Sequence, residues 1–243
     1  MPKRRRAVLT PLLAIVALSL SLSGCQVAGI GSPEATAIPT AAPTATEAPA
    51  TPTAASTGQN TNGTGSAAAA KQWTSPPKMT IDVHKTYKIV MQTNKGDFTI
   101  TLLPKEAPLA ANNFLFLVQH HFYNGIKFHR IIKSFMIQGG DPQGDGTGGP
   151  GYGFAIEPPA HDDYTKGMVA MANTGQPNSN GSQFFIMTTD NSGKLPKTYS
   201  IFGKVTAGLQ TIDKIASVPV DDPNSQSPRP LQDVVITSAT VQS

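Results

Sequence analysis

The chain has 243 residues, 19 of them Lys or Arg and 15 Asp or Glu, with a single cysteine and a formal charge of +4. A lone cysteine excludes a disulfide framework and any cysteine-built zinc site. Lys3, Arg4, Arg5 and Arg6 carry the whole positive excess, so the rest of the chain is balanced and offers no surface for nucleic acid.

Those four basic residues open a leader. Val8 to Leu22 is apolar but short for a membrane span. It runs into Leu22-Ser23-Gly24-Cys25, which resembles a bacterial lipobox. The resemblance implies cleavage after Gly24 and a diacylglycerol on the Cys25 thiol. Residues 1–24 are therefore expected to be a lipoprotein signal peptide. The mature chain is expected to be extracytoplasmic, lipid-anchored to the bacterial cell membrane through Cys25. An ordinary secretory signal with a chance cysteine is the alternative.

Pro, Ala, Thr, Ser and Gly dominate residues 26–77, as in Pro39-Thr40-Ala41-Ala42-Pro43. That composition lacks the apolar side chains that offset chain entropy, so 25–77 reads as a lipidated cysteine followed by a disordered tether. Its prolines favour an extended path that would hold a domain away from a membrane. Trp73, the only tryptophan, falls near the end of this segment, where a packing contact is expected of it.

Residues 78–243 form the expected domain, about 160 residues and long enough to bury a core without disulfides. Stretches 87–93 and 97–103 alternate apolar and polar residues, with Asn94-Lys95-Gly96 as the turn of a hairpin. Pro104 to Pro108 opens a predicted helix to about His121, because proline is tolerated in a first turn. Phe114, Leu117, Val118 and His121 fall on one face of it. Tyr123-Asn124-Gly125 turns the chain. Short strands are predicted at 126–132, 135–138, 167–172, 183–188, 200–205 and 234–241, and a second helix at 209–217. Many short strands with glycine-rich turns argue an antiparallel barrel or sandwich.

Two stretches carry the chemistry. Phe128 to Gly153 reads FHRIIKSFMIQGGDPQGDGTGGPGYG. A charge inside a strand-like apolar run is costly unless it is paired or faces a cleft, so Arg130 is either a buried structural ion or a site residue. Gly167 to Phe185 reads GMVAMANTGQPNSNGSQFF. Together the two stretches resemble the signature segments of the cyclophilin-type peptidyl-prolyl isomerases, over roughly Tyr87 to Val241.

That resemblance implies a mainly β fold, an eight-stranded antiparallel barrel capped by two helices. It implies X–Pro cis–trans isomerisation in exported or unfolded polypeptides by a monomer, with no cofactor and no metal. Arg130 matches the family's catalytic arginine. Phe135, Met136, Phe185 and Leu195 match its proline pocket, Gln138 and Asn173 the residues that hold substrate backbone, and Ala172 the groove lining. The chain departs from the best-known members at Lys194, where they carry a tryptophan, and at Tyr199, where they carry a histidine. Gln176 adds one residue to the loop between Asn173 and Asn180. Tyr199 is still counted with the substrate-binding set.

The residue types suit that reaction. Rotation about X–Pro faces a barrier of about 20 kcal/mol from amide resonance, and no bond is made or broken. In the twisted state the nitrogen regains its lone pair and accepts a hydrogen bond better. Arginine offers a permanently charged planar set of donors and needs no titration. His129, beside it, is accordingly expected to be structural or groove-lining. Gly144 to Gly149 fits G-x-G-x-x-G, but no helix-forming stretch follows it, so nucleotide binding is not expected. Asp141 and Asp145 lack the alternating oxygens of a calcium loop. The rival expectation is a non-catalytic chaperone or scaffold that binds proline-containing segments.

Overall fold

The computed structural model describes residues 71–161 and 163–242. Cys25, the signal segment and the tether as far as residue 70 lie outside them. In chain order the elements are β1 (Lys88–Thr93), β2 (Gly96–Leu102), α1 (Pro108–Gln119), β3 (Arg130–Ile132), β4 (Met136–Gly139) and β5 (Met168–Met171), followed by β6 (Phe184–Met187), β7 (Ile201–Ala207), α2 (Leu209–Ala216) and β8 (Ile236–Gln242). All eight strands join one sheet in the order β3-β4-β6-β5-β7-β2-β1-β8, and every pairing is antiparallel. The ladder steps its register at Gln92/Thr93, Thr99/Ile100 and Val169/Ala170, irregularities that bend a sheet.

The curl closes without a continuous ladder. Gly125 N–H donates to Ile236 C=O at 2.8 Å, Phe128 N–H to Val234 C=O at 2.9 Å and Ile236 N–H to Ile126 C=O at 2.9 Å. The predicted strand 126–132 is thereby divided. Only Arg130–Ile132 pairs with β4, while 126–128 turn their backbone to the chain leading into β8.

The helix expected from Pro104 begins at Pro108, the first-turn proline. Residues 104–106 form a separate turn, with Glu106 N–H on Leu103 C=O at 3.0 Å. Its end comes before His121. Phe122 N–H bonds Leu117 C=O at 2.9 Å, His121 N–H bonds Val118 C=O at 2.9 Å, and His121 has φ 54. This is a Schellman stop with a histidine in the left-handed position. His121 is therefore exposed, whereas Phe114, Leu117 and Val118 are buried as expected.

α1 lies against β7 and β8, and α2 against β2, β3 and β4. The space between them is filled by one large apolar cluster that includes Phe98, Phe114, Tyr123, Phe128, Phe184 and Phe202. Trp73 packs on this cluster from outside, its ring 5.2 Å from Phe116 and 6.0 Å from Phe122, and its backbone N–H donates to Pro150 C=O at 2.9 Å. The expected boundary at 77/78 thus falls inside a segment that contacts the domain. Partial burial of the Trp73 ring holds this part of the segment against the domain despite its tether-like composition.

Candidate active site

The site follows from strand parity. Successive side chains on a strand face opposite sides. On β4, β5 and β6, Ile137, Val169, Phe184 and Ile186 point into the main cluster, while Met136, Ala170, Phe185 and Met187 build a second cluster on the opposite face. Cross-strand register then aligns Arg130, Gln138, Phe185 and Ala170 as one row across four strands. Ile132, Met136 and Met187 form the adjacent row. An apolar strand such as Phe184–Met187, buried along its whole length, is what a sheet covered on both faces requires.

Segment 195–199 roofs the second face. Tyr164 is fully buried, and its hydroxyl donates to Pro196 C=O at 3.1 Å and Tyr199 C=O at 3.2 Å. Tyr199 in turn meets Phe185 edge-on at 5.3 Å. Beneath this roof is a cavity of about 270 Å³, lined by Arg130, Phe135, Met136, Gln138, Ala172, Asn173, Phe185, Leu195 and Tyr199. The structure therefore brings together all nine residues singled out in the domain. Cys25 lies outside the described residues.

Arg130 is half-buried and held by neutral acceptors. Its Nε donates to Gln226 C=O at 2.8 Å and its Nη1 to Gln138 Oε1 at 3.0 Å. The ion pairs among the described residues are Lys85–Asp82, Lys127–Asp233 and Lys166–Asp213, so no carboxylate pairs with Arg130 there. Among the described residues, then, Arg130 is held by hydrogen bonds to uncharged oxygens and not by an ion pair. Burial lowers its pKa and the nearby Tyr199 acts the other way, but an arginine stays charged at neutral pH.

The amides are committed to neighbours. Gln138 Nε2 donates to Gln183 Oε1 at 3.0 Å, and Gln183 Nε2 reaches Gly146 C=O and Gly148 C=O at 2.9 Å each. Asn173 Nδ2 donates to Thr198 C=O at 2.9 Å, while its Oδ1 accepts Gly175 N–H at 3.0 Å. These two side chains thus fix the walls of the cavity, and Gln138 also fixes Arg130.

His129 is buried outside the lining, with Nδ1 unpartnered among the described residues. Burial lowers its pKa, opposed by Asp141 and reinforced by Arg130 and Arg229. The glycine-rich loop walls an adjoining cavity of about 470 Å³ that shares Gln138, Ala172 and Asn173. Gly140 turns the chain into that loop at φ +86, where a Cβ would collide with Ser182 C=O. No helix follows the loop before α2 among the described residues. Asp141 is spent on its own loop, accepting the N–H groups of Gln143, Asp145 and Gly146. No group of three or more metal-ligating side chains occurs among the described residues.

Sequence reasoning missed Tyr164, Gln183 and Gln226. Gln183 lies within the second signature stretch, where its amide was a readable signal. Tyr164 had no local pattern to mark it, and Gln226 contributes only a backbone carbonyl.

The family model for "cyclophilin type peptidyl-prolyl cis-trans isomerase/CLD" matches residues 88–241. The chain belongs to this family. The cyclophilin is 41% identical over 157 residues to the peptidyl-prolyl cis-trans isomerase-like 3 of Dictyostelium discoideum, covering 63% of this chain and 94% of that one. It is 43% identical over 170 residues to peptidyl-prolyl cis-trans isomerase B of Streptomyces anulatus, with the same coverage. A cyclophilin type isomerase of Cryptosporidium parvum, solved in the presence of the dipeptide Ala-Pro, superposes with a TM-score of 0.59 at 35% identity. That match covers 64% of this chain and 99% of the other. The present cyclophilin is accordingly a peptidyl-prolyl cis-trans isomerase with the fold expected of it, its barrel closed by loop bonds.

Proposed function

We propose that this cyclophilin isomerises X–Pro bonds in exported or unfolded polypeptides while held to a bacterial membrane through a lipid on Cys25, and that Arg130 is the catalytic donor. The proline ring enters against Phe135, Met136, Phe185 and Leu195. An Ala-Pro unit like the one offered to the Cryptosporidium relative suits a cavity of this size. As the amide twists, resonance is lost and the lone pair returns to the prolyl nitrogen, which Arg130 then meets with an N–H. That bond is stronger in the twisted state than in either planar state, the condition for acceleration. Leu22-Ser23-Gly24-Cys25 supports the anchor.

One observation carries the mechanism: Arg130 lines a cavity beside the apolar side chains of Phe135, Met136, Phe185 and Leu195, with its guanidinium fixed by two neutral oxygens and, among the described residues, paired with no carboxylate. A protease-coupled assay on an X–Pro peptide tests it. Arg130→Ala lowers kcat/KM by about one to three orders of magnitude, or ~1.4–4 kcal/mol of transition-state stabilisation. Arg130→Lys recovers little, because an ammonium lacks the planar fork. Near-wild-type turnover by a folded Arg130→Ala would instead remove Arg130 from the catalytic role.

A further inference from the structure

The two holds on Arg130 have different origins. Gln138 is its ladder partner. The Gln226 carbonyl on Nε comes from the loop between α2 and β8, far along the chain. That loop is drawn together at its base. Leu231 N–H bonds Pro219 C=O at 2.9 Å, Asp221 N–H bonds Arg229 C=O at 2.9 Å, and Val220 bridges Pro230. Pro228 C=O accepts Ile131 N–H at 3.0 Å, which ties the returning limb to β3.

A single side chain spans the base. Asp221 Oδ1 accepts Arg229 N–H at 2.8 Å and Asp222 N–H at 2.7 Å. Beyond it the tip is mostly exposed and bonded locally, through Asn224 N–H to Asp222 Oδ1 and Ser227 N–H to Ser225 Oγ. The place of the Gln226 carbonyl therefore depends on how the two limbs are held.

We infer that Asp221 is a positioning residue for the isomerase reaction: its carboxylate clasps the 219–231 loop so that the Gln226 carbonyl fixes Nε of Arg130 and turns the remaining guanidinium N–H groups toward the cavity. The inference rests on Arg130 as the donor. Asp221 is exposed and does not line the cavity, so it acts only through the loop.

The test uses the full chain and the coupled peptide assay. Asp221→Ala lowers kcat by about three- to tenfold with KM nearly unchanged. Asp221→Asn keeps an oxygen for both N–H groups and stays within about twofold of wild type. In an Arg130→Ala background, Asp221→Ala costs nothing further, since neighbours acting through one group are not additive. The ¹⁵N resonance of Arg130 Nε–H shifts or broadens in Asp221→Ala and not in Asp221→Asn, which reports the clasp without reference to turnover. Unchanged kcat with an unmoved resonance, or an equal loss in both backgrounds, overturns the inference. Failure of the Arg130 reading is seen separately, as wild-type turnover by Arg130→Ala alone.

Discussion

Arg130 and Gln138 are direct cross-strand partners in the β3–β4 ladder, and the same two side chains are joined at 3.0 Å between Nη1 and Oε1. The backbone register thus delivers the acceptor to the arginine. Gln138→Leu keeps volume and removes the acceptor, and it lowers kcat/KM by about three- to thirtyfold. Gln138→Glu keeps an acceptor but adds a neutralising carboxylate beside Arg130, and it also loses activity. The coupled assay on both variants separates orientation from charge.

Phe185 is 6% exposed and forms part of the cavity wall. Phe185→Ala costs about 3 kcal/mol of stability from lost burial and the cavity left behind. It also raises KM, because the proline ring loses a wall. Denaturant unfolding and steady-state kinetics on one preparation check both effects.

Burial holds the pKa of His129 below its usual value. The unfolded chain takes up that proton near pH ~6.5, the folded protein only at lower pH. Between those points the unfolded state holds more protons. The contribution is therefore fully present above about pH 6.5 and is lost as pH falls toward the folded value. His129→Gln flattens that part of the unfolding profile. Activity, by contrast, changes little between about pH 6 and 8, since the proposed donor need not titrate.

Trp73 contacts Phe116, His120 and Phe122. A chain beginning at Lys78 folds and turns over peptide normally, but Trp73→Ala or that truncation lowers Tm by about 2–6 °C, corresponding to ~1–2 kcal/mol. Calorimetry of the three proteins measures it.

If Cys25 carries lipid, the wild type partitions into the detergent phase and Cys25→Ala into the aqueous phase. Stable anchoring needs more than one acyl chain, so mass spectrometry of the released amino-terminal peptide should show at least two.

Much of the fold was legible because local patterns agreed with the tertiary answer. The 87–93/97–103 alternation gave β1 and β2, and the helix expected at 209–217 is α2 (Leu209–Ala216). Boundaries failed where backbone bonds outside the side-chain pattern decided them, long-range ones at 126–128 and a local helix stop at His121. Residues 126–128 read as strand yet bond to the chain entering β8, and His121 read as helix face yet occupies the left-handed stop. The cavity set was legible through resemblance alone. Strand parity puts Phe184 and Phe185 on opposite faces, but it could not say which of the two faces the main core and which the cavity, since both are apolar. The Gln226 contact had no side-chain signature.

The closure between residues 125–128 and 234–236 has another consequence. Phe184–Met187 is short, apolar and uncharged, the kind of segment that recruits other extended chains when it lies at an open edge. Here it sits between β4 and β5, and the short outer strand β3 is itself followed round by the stitched segment. A peptide that reaches the cavity therefore meets side chains of β6 rather than an open backbone ladder along it, which gives it no strand edge to extend at that place.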